Sequence, residues 1–173
     1  MKNWFRKDEL SDFEREIIEN VEKNGCHINA VFDPEGKDPS FAYSVGFTKT
    51  LEKVGRGKNP EVIMFGLPDE VYGPAINELL AMAAAGQSLN DGTRIDKFFG
   101  SYDAVFRTVH PSQITEEYFT SALWYHRTQM GRQLDNVAMI VWPDSNGTFP
   151  WESECEEWVK NDQPALYEPR LHS

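Results

Sequence analysis

Ser40-Phe-Ala-Tyr-Ser-Val-Gly-Phe-Thr48 alternates more strictly than any other stretch of the chain. Side chains of a strand point to opposite faces in turn, so Phe41, Tyr43, Val45 and Phe47 share one face and Ala42, Ser44 and Gly46 the other. One face is bulky and the other nearly bare. A bare face on a well-formed strand means that something approaches the backbone closely, either a packed helix or a ligand. Both readings stay open at this point.

The neighbouring segments place this strand in a sheet. Cys26 to Phe32 reads as its hairpin partner across the polar connection Asp33-Pro-Glu-Gly-Lys-Asp-Pro39. Upstream, Ser11-x-x-Glu14 is a capping box, followed by Phe13, Ile17, Ile18 and Val21 at helical spacing and by Gly25 as a stop. Residues 1 to 10 read as a tail preceding one domain over 11 to 173. Downstream, residues 49 to 59 carry Lys49, Lys53, Arg56 and Lys58 against Glu52, which predicts a mobile, positive loop, either a solvated surface or an anion-binding flap.

Val62-Ile-Met-Phe65 and Val137-Ala-Met-Ile-Val-Trp142 are continuously apolar, as strands covered on both faces are, and are expected to lie side by side at the sheet centre. Between them lie a helix carrying Val71, Ile76, Leu79, Leu80 and Ala83, a hairpin from Thr93 to Val109, and a helix over 115 to 129 with Phe119, Ala122, Leu123 and His126 on one stripe. Gly73 and Pro74 place the proper start of the first of these helices at Pro74. Ser153-x-x-Glu156 predicts a second capping box opening a short acidic helix. Consecutive hairpins without regular βαβ alternation give an α+β fold, with a mixed or largely antiparallel sheet of five to six strands and three to four helices.

Composition narrows the function classes. Of 173 residues, 40% are hydrophobic and 13% aromatic, which marks a folded chain. The formal net charge of −11 repels phosphate backbones and anionic lipid, so neither nucleic acid nor a membrane is expected as a partner. Two cysteines, no leader-like run and no apolar stretch near ~18 residues lead to the expectation of a cytoplasmic protein with reduced thiols. His27, His110, His126 and His172 lie far apart and the cysteines form no C-x-x-C, so no metal and no cofactor is expected. Ala42-Tyr-Ser-Val-Gly46 lacks the first glycine of a nucleophile elbow, and Cys26 and His27, adjacent on a strand, point apart.

What remains is the corner Trp142-Pro-Asp-Ser-Asn-Gly-Thr-Phe-Pro-Trp151, where prolines and Asn-Gly fix the backbone. Its two tryptophans either cap the core or wall a ligand site, and Asp144 suits a turn that collects backbone N–H groups.

Phe41-x-Tyr43-Ser44-Val45-Gly46-Phe47-Thr48, then Asn59-Pro60-Glu61 opening a strand that ends Gly66-Leu67-Pro68, then the Trp142 to Trp151 corner and Gln163-Pro164 occur together in this order. That combination resembles a bacterial domain-of-unknown-function family, number 4262, over roughly residues 26 to 166. The resemblance implies a fold and a common site but no reaction. It matches a family histidine to His27 and a family Pro-Glu to Pro60-Glu61, while residues 49 to 58 are longer and more basic than in relatives.

The leading expectation is a binding domain whose pocket is lined by His27, Tyr43, Ser44, Trp142 and Trp151, with Glu61 and Asp144 as polar groups, for a small polar molecule or a protein partner such as a peptide. The competing class is a hydrolase or transferase with His27 or His110 as base and Glu61 or Asp144 orienting it. A third is an interaction surface on the acidic C-terminal helix, with Glu152, Glu154, Glu156 and Glu157.

Overall fold

The computed structural model describes residues 9–171. The expected tail and His172 therefore fall largely or wholly outside the described residues. Within them the order is α1 (Asp12–Asn24), β1 (His27–Val31), β2 (Phe41–Val45), α2 (Phe47–Lys53), β3 (Glu61–Phe65), α3 (Asp69–Ala84), β4 (Arg94–Phe99), β5 (Tyr102–Thr108), α4 (Glu116–Tyr125), β6 (Val137–Val141) and α5 (Glu157–Asp162). The six strands form one sheet in the order β1-β2-β3-β6-β5-β4. Only β3 and β6 run parallel; every other neighbouring pair is antiparallel. The fold is α+β with a mixed sheet, and the two continuously apolar runs are its adjacent central strands, buried along their whole length.

Helices cover both faces. On one, Ile17 and Val21 of α1 and Phe119, Ala122 and Tyr125 of α4 pack on Tyr43, Val45, Ile63, Phe65, Met139 and Val141. On the other, Phe47 and Leu51 of α2 and Tyr72, Ile76 and Leu79 of α3 pack on Ala42, Val62, Met64, Phe106 and Ile140. Ala42 is small because α3 lies over it, which answers the question posed by the bare face in favour of a helix. The helix α1 begins with the expected reciprocal cap, Glu14 N–H donating to Ser11 Oγ and Ser11 N–H to Glu14 Oε1.

Four expectations are corrected. Phe47 does not share a face with Tyr43: Gly46, at φ +84°, ends the strand, and Phe47 opens α2 on the opposite side of the sheet. The expected basic loop is helical through Lys53, and three of its four cations are engaged, Lys58 with Asp135, Arg56 Nε with the Ala84 carbonyl, and Lys49 over the Tyr125 ring. Helix α3 begins at Asp69, with Pro68 as its cap; Pro74 is tolerated inside it because the carbonyl it cannot serve, that of Glu70, lies in the exposed first turn. Ser153 caps nothing, since α5 starts after Glu156 without a side-chain cap.

The helix α4 is kinked at Phe119 (φ −128°, ψ 28°). The Ser121 N–H released there donates to the Tyr43 hydroxyl at 3.0 Å, and Asn29 Nδ2 donates to the same oxygen at 2.8 Å. Tyr43 is thus both core filler and the anchor that holds α4 to the sheet.

Candidate functional site

The expected site residues fall into three separate places. The first is built around Glu61, fully buried at the start of β3. Its Oε1 accepts from the Ser44 hydroxyl at 2.8 Å and the Phe47 N–H at 3.0 Å; its Oε2 accepts from the Thr48 N–H at 3.3 Å and lies 2.6 Å from His126 Nε2. Ser44 Oγ in turn accepts from the Val62 N–H at 2.9 Å. Ser44 is therefore small and polar because it bridges β2 to β3 where the backbone ladder, last paired at Tyr43 and Ile63, runs out. The histidine beside Glu61 is His126, neither of the two proposed from sequence. It stands where α4 loosens into a π-helical turn, His126–Met130, a distortion that recurs at functional sites.

His27 is the second place. It lies under α1 on edge strand β1, with Nδ1 2.9 Å from Asn20 Nδ2 and the Phe13 ring edge-on at 5.8 Å. Among the described residues its Nε2 has no partner. Burial holds its pKa below the ordinary histidine value, so the ring is neutral at pH 7. Adjacent Cys26 is inert for a similar reason: burial, with Glu61 nearby, pushes its thiol up to about 12. His110 caps the 3₁₀ turn Pro111–Gln113, its Nδ1 accepting from the Ser112 N–H, and among the described residues it meets no carboxylate.

The third place is the corner after β6, and it separates its two tryptophans. Trp151 stacks on Phe149 and receives Arg107, which lies 4.6 Å from its ring and 4.3 Å from that of Tyr167. Trp142 belongs to a different cluster, with Cys155 and Val159. Its indole N–H donates to the Phe65 carbonyl, and the Gln163 amide both accepts from its backbone N–H and donates to its carbonyl. Asp144 organises the turn between them, accepting from the Asn146, Thr148 and Glu156 N–H groups.

These bonds, the one from Thr148 foremost, hold the Asp144 pKa below the ordinary carboxylate value despite the opposing effect of burial. A depressed folded-state pKa contributes stability above the unfolded value of ~3.9 that is lost as pH falls through the folded value. Asp144→Ala is therefore expected to unfold at lower urea than the parent at pH 7, the gap narrowing below about pH 4. Urea titrations at pH 7 and at pH 3 measure both.

Beside Trp142 opens a cavity of about 680 Å³. It lies off the carboxyl ends of β3 and β6, between α3, the β4–β5 hairpin and α5, with Leu67, Val71 and Ala75 among the aliphatic lining and Phe98, Phe99, Trp142 and Trp158 as aromatic walls. Two consecutive residues of a regular strand cannot face one side. Here three residues, 96 to 98, stand opposite Asp103 between the pairs Ile95–Ala104 and Phe99–Tyr102. Lys97 takes φ +52°, the one positive value at a non-glycine among the described residues, and its N–H donates to Asp103 Oδ1. The bulge turns Phe98 to the side of Phe99, leaving the rings 4.9 Å apart. Bulges of this kind re-aim side chains beside binding sites, and the strained backbone persists because its surroundings hold it.

Of the residues expected to line one pocket, Trp142 and Asp144 border this cavity; Tyr43 and Ser44 are in the core, His27 is under α1, and Trp151 is across the corner. Sequence reasoning missed Phe98, Phe99 and Trp158 as walls and His126 as the partner of Glu61. An adjacent Phe-Phe pair in a strand bounded by Gly100 was the available signal.

Among the described residues no helix is long and apolar enough to cross a membrane, and no three His, Cys, Asp or Glu side chains gather as metal ligands. Neither the curated proteins nor the solved structures contain a match to the chain. A family model described as Domain of unknown function (DUF4262) matches residues 20–156, a span that includes the Glu61 network, the Lys97 bulge and the Trp142 corner. The chain belongs to that family.

Proposed function

We propose that the protein is a binding domain for a small organic molecule, received in the cavity beside Trp142. The observation that carries this reading is the bulge at Lys97, a strained backbone whose visible effect is to bring Phe98 and Phe99 together onto the cavity wall. The volume, about 680 Å³, is that of a small-molecule site, and an apolar lining with a few polar groups is what such sites need. Its position off the carboxyl ends of two adjacent parallel strands is where open sheets hold their ligands.

The test is a fragment screen by native mass spectrometry, repeated on Val71→Trp, which fills the cavity from the half-buried face of α3. Hits are expected to lose at least about tenfold in affinity in the variant while its melting point holds. Hits that bind the variant equally, or a screen with none, would overturn the reading.

A second reading, acid–base catalysis by a histidine and a carboxyl group, is favoured by one observation, the 2.6 Å approach of His126 Nε2 to Glu61. Against it, every hydrogen-bond partner of that carboxyl group is internal, and the opening beside His126 holds about 10 Å³.

A further inference from the structure

We infer, on the reading that the cavity beside Trp142 binds a small molecule, that its ligand is an organic cation, an ammonium group joined to a flat or apolar body. Glu70, Pro74 and Glu78 line the cavity at intervals of four residues, so α3 turns one stripe with two carboxylates toward it. Among the described residues no lysine, arginine or histidine lines it, and neither carboxylate is in a salt bridge.

The walls point to the same ligand. Trp142 and Trp158 lie with ring centroids 5.9 Å apart at 44°, and Trp158 and Tyr102 keep 54% and 40% of their surface exposed at the edge of the cavity. Aromatic faces attract cations through their quadrupoles, tryptophan most strongly. Asp144 also borders the cavity, its carboxylate kept in the charged form by three backbone N–H groups. An anion would meet these carboxylates and no compensating charge, and a neutral apolar molecule would draw nothing from them.

Binding of (3-hydroxyphenyl)trimethylammonium and of its uncharged isostere 3-tert-butylphenol, followed by tryptophan fluorescence and calorimetry, tests this. The cation is expected to bind about tenfold more tightly than the phenol. In the double variant E70Q/E78Q, both sites being exposed and outside the core, that preference should fall to about threefold or less while the phenol affinity stays put. Val71→Trp should abolish binding of both. Equal binding of the two probes would overturn the cation assignment and leave the binding reading standing; a preference that survives E70Q/E78Q would overturn the part given to the two carboxylates and leave the aromatic walls as its source. Failure of both probes to bind would overturn the two together.

Discussion

Glu61→Ala is expected to lower the unfolding free energy by about 3–5 kcal/mol, the cost typical of breaking a buried ion-pair-like contact by removing one partner. The substitution leaves four donors or ring atoms stranded in the interior: the Ser44 hydroxyl, the Phe47 and Thr48 N–H groups, and His126 Nε2. An unsatisfied buried polar group costs about 1–3 kcal/mol, so the loss exceeds what the departed side chain contributed by itself. These donors belong to β2, to the first turn of α2 and to the end of α4, and Glu61 is where the three meet. Glu61→Gln keeps the shape and one acceptor oxygen and is expected to retain part of the stability. Urea unfolding of both variants at pH 7 is decisive; an alanine variant within about 1 kcal/mol of the parent would mean that the network is not a structural keystone.

The second large effect is expected at Gly46. An alanine there would have to adopt φ +84°, about 1–2 kcal/mol unfavourable for an L-residue, and its Cβ would sit 2.5 Å from Val21 Cγ2 and 2.6 Å from Cγ1. Overpacking of that kind costs a further ~1–3 kcal/mol. The two contributions are separable. Val21→Ala removes both γ-carbons and so relieves the steric part in the double variant, whereas the backbone part persists. A double-mutant cycle is expected to give a coupling of about 1–3 kcal/mol. Simple additivity would show that α1 moves aside freely and that only the backbone matters.

The central strands were legible because a run such as Val137 to Trp142 has no polar side to offer solvent, and the hairpins were legible because turn residues and alternation coincide. The site was not, and the reasons are physical. Glu61 and His126 are brought together from 65 positions apart, a pairing that local periodicity does not encode. The Lys97 bulge inserts two extra residues, an even number, so Phe99 keeps the face that simple alternation assigns it and only Phe98 is displaced. Nearness in sequence misled in the opposite direction at Trp142 and Trp151, because the turn knotted around Asp144 sends them to different clusters. Gly46 was read as one more small residue of a strand, when its positive φ is what converts strand into helix and delivers the Phe47 and Thr48 N–H groups to Glu61.

The Gln163 amide does for Trp142 what a neighbouring peptide does for a strand residue, giving one hydrogen bond and taking one. Gln163 lies beyond residue 156, where the family's match ends, as do the buried side chains of Val159 and Leu166; Ile17, equally buried, lies before residue 20, where it begins. The stretch of chain that evolution marks as shared is thus shorter than the stretch that must be present for its central strand to be finished, and a boundary drawn for expression at the edges of the shared stretch would cut through the interior of the molecule.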